Sequence, residues 1–191
     1  MKIEVSHLVP YPQQRVWDVL LDPDVLARVL PGVQKFEPLG GDRYRILVKL
    51  GVGAVRGTYE GSVEIAGKEE PHVYGLRGEG KGTPGWAKGE TLIRLHGESG
   101  GTRVIAAASF QVGGTIAGVG QRMIETVAKA MSKEFFDAIE REIAGRKEKA
   151  STAAFGFRVL LTLIRELFGR WFGRTPAHPA ATPLEREGRA S

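Results

Sequence analysis

Chemistry at a protein site needs imidazole, carboxylate, thiol or hydroxyl groups within reach of one another. This chain of 191 residues contains no Cys, which excludes disulfides, thiolate zinc sites, iron–sulfur clusters and cysteine nucleophiles. Its four histidines, His7, His72, His96 and His178, are scattered, with no HxxxH or HxxE spacing to set two ligands on one helix face. They read as isolated core or surface side chains, and no metal is expected. No GxSxG elbow occurs, and no Ser/His/Asp order stands out. Glu60, Glu79 and Glu90 fall in strand-like segments, and one of them turned into a pocket would supply acid–base chemistry. Alternation along a strand places them outward just as easily. Gly80-Lys81-Gly82-Thr83-Pro84-Gly85 matches the GxGxxG string, but a dinucleotide site needs a helix after it, and Trp86 onward reads as another strand. Nothing here forms a catalytic constellation, and the chain reads as a protein that is not an enzyme.

The elements that would position a site follow from periodicity. Ile3, Val5 and Val9 alternate with polar residues as a first strand. Pro12 opens a short helix through Val16, Trp17, Val19 and Leu20; Asp22-Pro23 starts a second, and Pro31-Gly32 ends it. Six strand-like segments follow, at 34–39, 42–51, 54–66, 71–80, 86–97 and 102–113. Gly40-Gly41-Asp42, Gly67-Lys68-Glu69 and Ser99-Gly100-Gly101 are expected as hairpin turns, making an antiparallel meander. A long helix is expected over 115–144, with Ile116, Val119, Met123, Val127, Ala130, Met131, Ala138 and Ile139 as its buried stripe.

The fold class is therefore α+β: a helix-grip arrangement, a curved seven-stranded antiparallel sheet around a long C-terminal helix, with an amphipathic tail helix beyond. The space between sheet and helix is either a pocket for a small apolar ligand or a solid core, and periodicity does not separate the two. Gly57, Gly61, Gly75, Gly78, Gly80, Gly82 and Gly89 lie inside the strands, where a steep bend or the clearance of a ligand calls for a missing side chain.

Charge divides the chain. Residues 1–144 hold 18 Lys/Arg and 18 Asp/Glu, so the body is neutral, which argues against a nucleic-acid partner. The net charge of +5 comes from 145–174, where Arg146, Lys147, Lys149, Arg158, Arg165, Arg170 and Arg174 face only Glu148 and Glu166. On a helical wheel Leu160, Leu163, Ile164, Leu167, Phe168 and Trp171 share one face, with Arg158, Arg165 and Arg170 opposite. An apolar face, a Trp and an Arg-rich reverse describe a helix lying in an anionic membrane interface. A partner's groove and the chain's own domain are the alternatives. The division is then a body at 1–144, a linker at 145–152, a membrane-binding helix at 153–173 and a disordered tail at 174–191. No secretory signal or apolar run long enough to span a bilayer occurs, so the expected location is cytoplasmic, peripheral on the inner face of the cell membrane.

Several motifs of the body occur in the order of a known family. Leu21-Asp22-Pro23-Asp24-Val25-Leu26 with Leu30-Pro31-Gly32, then Gly51-Val52-Gly53-Ala54-Val55-Arg56-Gly57 and Gly61, then the Gly78/Gly80/Gly82 strand, resemble the CoxG family, that of the G subunit of carbon monoxide dehydrogenase. The block Val112-Gly113-Gly114-Thr115-Ile116-Ala117, running through Gly120-Gln121-Arg122 to Phe135-Phe136, is the most specific part. Where the family usually has a Cys shortly before Pro-Gly, this chain has Val29-Leu30. The resemblance implies a START-like (SRPBCC) domain with an apolar cavity. It also implies an accessory role, membrane recruitment and quinone handling, beside a molybdenum hydroxylase of the carbon monoxide dehydrogenase type.

The expected function is thus a non-enzymatic adaptor that carries a lipophilic molecule, menaquinone or ubiquinone, with no covalently bound cofactor. Trp17, Tyr44, Tyr59, Trp86, Phe110, Met123, Val127 and Met131 are the expected cavity residues, chosen for size, apolarity and facing. Two other functions stand beside it: a small cyclase or dehydratase of the same fold, marked by a buried carboxylate or His in the cavity, and an assembly factor with a filled core.

Overall fold

The computed structural model describes residues 1–51 and 55–145. The linker from 146 onward, the amphipathic segment with Arg158, Leu160, Leu163, Ile164, Arg165, Leu167, Phe168, Arg170 and Trp171, and residues 174–191 lie outside the described residues.

β1 (Lys2–Val9) leads through Pro12 into α1 (Gln13–Leu20), whose Val16, Trp17, Val19 and Leu20 are buried. α2 (Pro23–Val29) starts where Asp22 Oδ1 accepts the backbone N–H groups of Asp24 and Val25, at 2.9 and 3.2 Å. Those two donors have no partner inside the helix, and the cap supplies one. Beyond Leu30 the Pro31-Gly32 turn lies against the sheet, with the Lys49 N–H donating to the Gly32 carbonyl at 2.8 Å. The meander follows as β2 (Val33–Gly40), β3 (Arg43–Leu50), β4 (Gly57–Glu69), β5 (Val73–Gly82), β6 (Gly85–Glu98) and β7 (Gly101–Gly114). All pairings are antiparallel, and the spatial order is β1-β7-β6-β5-β4-β3-β2.

Two boundaries differ from the sequence reading. The long helix does not begin at 115: Thr115–Val119 form a 3-10 turn, and α3 spans Gln121–Ile143. Gly120 between them has φ +84°, a backbone state that ends one helical segment before the next begins. The 3-10 turn is pinned to the β5–β6 connection, because both Thr115 Oγ1 and the Ile116 N–H donate to the Pro84 carbonyl. The hairpin turn expected at 67–69 is instead an irregularity inside β4. The register shifts between Ala66 and Glu69, and the chain reverses after Glu69.

The register assigns every paired strand position to one of two faces. His7 pairs with Val104, Val104 with Leu95, Ile93 with Tyr74, Leu76 with Ile65 and Val63 with Tyr44, so these side chains share a face. His7 stacks on Phe136 of α3, with ring centroids 4.8 Å apart, which identifies this as the inner face beneath the helix. One end of that layer is packed solid. Val9, Leu95 and Val104 of the sheet, Val16 and Val29 of the short helices, and Phe136, Ala138 and Ile139 of α3 belong to a single buried cluster. Arg28 of α2 pairs with Glu142 of α3, and His7 Nε2 lies 2.8 Å from Glu140, so polar contacts rim this end.

Candidate functional site

At the opposite end the sheet is rich in glycine. Inner-face positions there include Gly61, Gly78, Gly80, Gly82 and Gly89, with Ala87, Thr91, Ala108, Tyr59 and Phe110 among them. Val55 ahead of β4, the β5–β6 turn and the 3-10 turn lie at this end, with Val55 packed on Val127 of α3 and the 3-10 turn bonded to Pro84. Tyr59 Oη donates to the Val55 carbonyl at 3.0 Å, and Val55, Ala130 and Met131 pack around Val127. Among the described residues this second cluster has one buried member, whereas the first has sixteen. Tyr59, Phe110, Met123 and Met131 stay half-buried although they belong to the inner layer or to α3. Solvent therefore reaches these apolar side chains beneath α3.

The glycines divide by what a side chain would meet. A Cβ built at Gly61 would run into the backbone of β5 at Glu79 and Gly80, so the strands themselves demand its absence. At Gly80 and Gly78 a Cβ would meet only ordinary contacts, at 3.6 and 3.5 Å. These two positions leave room on the inner face that strand pairing does not require.

Electrostatics separates the faces completely. Across all seven strands, no paired inner-face position carries Asp, Glu, Lys or Arg. Glu60, Glu79 and Glu90 pair with Lys81, Lys88 and Arg77 on the outer face, so acid–base chemistry finds none of its three expected carboxylates beneath the helix. His7 faces inward but sits at the packed end, engaged with Glu140 and Phe136. Burial pushes the phenol of Tyr59 above its ordinary pKa, which keeps it neutral, and pushes that of Tyr74 further still. Among the described residues no three His, Asp or Glu are gathered to hold a metal ion.

The model of the CoxG family, the G subunit of carbon monoxide dehydrogenase, matches residues 6–144, nearly the whole of this body. The chain belongs to the CoxG family. Membership carries the coarse function with it, an accessory role beside carbon monoxide dehydrogenase. A conserved protein from Geobacillus kaustophilus is similar in structure with a TM-score of 0.73 and 32% identity, over 76% of this chain and 96% of that one. A Thermus thermophilus protein (TM-score 0.57, 17% identity, 78% and 100% covered) and one from Rhizobium leguminosarum (0.57, 13%, 75% and 94%) share the fold. No curated protein matches the chain.

Within this CoxG-family body the eight expected cavity residues do not form one group. Tyr59 and Phe110 lie on the inner face of the glycine-rich end, and Met123, Val127 and Met131 recur at four-residue steps on α3. Tyr44 also faces inward but belongs to the packed cluster, stacked on Phe36 at 4.7 Å. Trp17 is in that cluster too, edge-on to Tyr74 at 5.5 Å, and lines no space at the glycine-rich end. Trp86 is on the other side of the sheet: it pairs with Lys81, and 43% of it is exposed. Its strand carried the signal, because Lys88, Glu90 and Arg94 share its parity while Ala87, Thr91 and Ile93 have the other. The same parity argument finds inner residues the sequence reading passed over, Ile46, Val48 and Ala87. An open trough of about 800 Å³ also runs over the outer face above Ala66, Gly75, Leu92 and Ala107, lipped by Lys2 and Glu4.

Proposed function

We propose that this protein is a non-catalytic, membrane-associated accessory that holds a lipophilic molecule, a quinone of the menaquinone or ubiquinone type, between the inner face of its glycine-rich end and α3. It serves a molybdenum hydroxylase of the carbon monoxide dehydrogenase type at the cytoplasmic face of the membrane. The observation that carries this reading is the absence of every formal charge from the paired inner-face strand positions, next to glycines that leave room. An isoprenoid tail placed there gains roughly 0.8 kcal/mol for each CH₂ withdrawn from water, and an uncharged lining adds no desolvation cost of its own. Attachment rests on the sequence pattern of 153–173, with Leu160, Leu163, Leu167 and Trp171 as the immersed side and Arg158, Arg165 and Arg170 at the headgroups.

Extraction of the natively purified full-length chain into organic solvent, followed by mass spectrometry, tests the cargo. A prenylated quinone or another neutral lipid at near-stoichiometric amount is expected. A chain that yields no lipophilic molecule and takes none up from quinone-loaded vesicles overturns the carriage reading.

A further inference from the structure

The neutrality of the body conceals a separation of charge along its length. At the packed end five cations each lie beside a carboxylate: His7 with Glu140, Arg28 with Glu142, Lys68 with Asp42, Arg103 with Glu98 and Lys133 with Asp137, while Arg15, Arg43 and Arg94 there have none among the described residues. At the glycine-rich end Lys49, Arg56, Lys81, Lys88, Arg122 and Lys129 are all exposed. Among the described residues none of the six has a carboxylate within 4.0 Å. Besides the Lys35–Glu37 pair at 3.8 Å, the acids here are Glu60 opposite Lys81, Glu79 opposite Lys88, Glu90 opposite Arg77, and Glu125, which accepts a hydrogen bond from Gln121. Cations therefore remain in excess at this end, and the compensating acids lie at the other.

Trp86 stands among these cations. Its indole lies against Gly113, where any side chain would overlap the ring, and Lys88 Nζ is 5.8 Å from the ring centroid. The ring is thus held in place on the outer face with 43% of its surface exposed. A fixed, half-exposed indole flanked by unpaired lysines matches the boundary between lipid headgroups and acyl chains, where aromatic rings and long cationic side chains concentrate.

We propose that the glycine-rich end of the body is itself a docking face for an anionic lipid surface, with Trp86 entering the headgroup layer and Lys81, Lys88, Lys49, Arg56 and Arg122 contacting phosphates. This contact is separate from the tail, which leaves the body at the far end of α3, a helix of 23 residues and about 34 Å in length. It would bring the end that carries the uncharged inner face to the bilayer.

The absence of cysteine makes the test direct. Thr83, at the β5–β6 turn beside Trp86, and Ser99, at the β6–β7 turn of the packed end, are both exposed. Each is replaced in turn in the full-length chain, Thr83→Cys or Ser99→Cys, and labelled with an environment-sensitive fluorophore. Vesicles of zwitterionic lipid are compared with vesicles containing phosphatidylglycerol. The expected result is a blue shift and brightening at position 83 on anionic vesicles alone, with position 99 unchanged. Lys81→Glu with Lys88→Glu then removes the signal at 83 while the urea midpoint stays put, because each basic residue near an anionic surface is worth about fivefold in partitioning. If the chain sediments with vesicles while position 83 stays aqueous, the docking face is refuted and attachment through the tail stands. A signal at 83 that requires purified carbon monoxide dehydrogenase rather than lipid also refutes it, making this end a protein interface. Failure to sediment at all overturns both membrane contacts, and none of these outcomes bears on the extracted ligand.

Discussion

One sheet and one helix make two unlike ends in this molecule. Where α3 finishes, Phe136, Ala138 and Ile139 share a buried cluster with strand residues and with α1 and α2, and paired charges close the rim. Where α3 begins, Val127 is the only buried member of its cluster among the described residues, and the strands beneath it carry glycine and alanine. The two short helices account for much of the contrast, since Val16, Trp17, Val19, Leu20, Val25 and Val29 all fill the first end. Dense packing is thereby confined to one end, and substitutions at the two ends should behave differently.

The largest expected effect is on the packed end. Ile139→Ala should lower unfolding stability by about 2–5 kcal/mol, because a fully buried side chain leaves a cavity that dense neighbours cannot close. Met131→Ala, at a half-buried position, should cost about 1 kcal/mol. Urea titration of both variants decides the matter, and equal losses would mean that the two ends are packed alike. Gly61→Ala and Gly80→Ala, at paired positions on neighbouring strands, sharpen the contrast. The first forces a methyl into the β5 backbone and should cost about 1–3 kcal/mol. The second should change stability by no more than about 1 kcal/mol, in either direction.

A smaller effect comes from ionisation. Tyr74 and Tyr59 both hold their protons more tightly when folded than the ordinary phenol value of 10.0, because burial disfavours phenolate. Stability carried by a raised pKa is intact below the unfolded value and is lost as pH climbs past it. Unfolding free energy should therefore fall above about pH 10. Tyr74→Phe should fall less steeply than the parent, since the more deeply buried of these two phenols is then gone. Identical slopes in urea unfolding across that range would show that the Tyr74 ring is not desolvated.

Much of this architecture was legible in the residues. Alternating Val, Ile and Tyr with glycine-containing turns located all seven strands, and Asp22-Pro23 with Pro31-Gly32 bracketed α2. What escaped were features that depend on partners distant in sequence. Ile116 continues the apolar stripe of α3 perfectly well, yet its N–H is claimed by Pro84, and Gly120 separates the two segments. Trp86 was expected inside because it is large and apolar; its parity with Lys88 and Glu90 was the better guide. The excess of cations at the glycine-rich end could not be read at all, because the 18 charges of each sign within residues 1–144 say nothing of which end they reach.

The central claim is that the uncharged inner face at the start of α3 is a compartment for a lipophilic molecule. Ala87 lies on that face between Gly80 and Val112, so Ala87→Phe would fill the compartment without touching the packed end. The decisive measurement is equilibrium binding of a short-chain menaquinone analogue to the parent chain and to this variant, with urea midpoints recorded beside it. The account predicts saturable binding to the parent, at least a tenfold loss in Ala87→Phe, and little change in stability. Undiminished binding to the filled variant, or none to the parent, would contradict it.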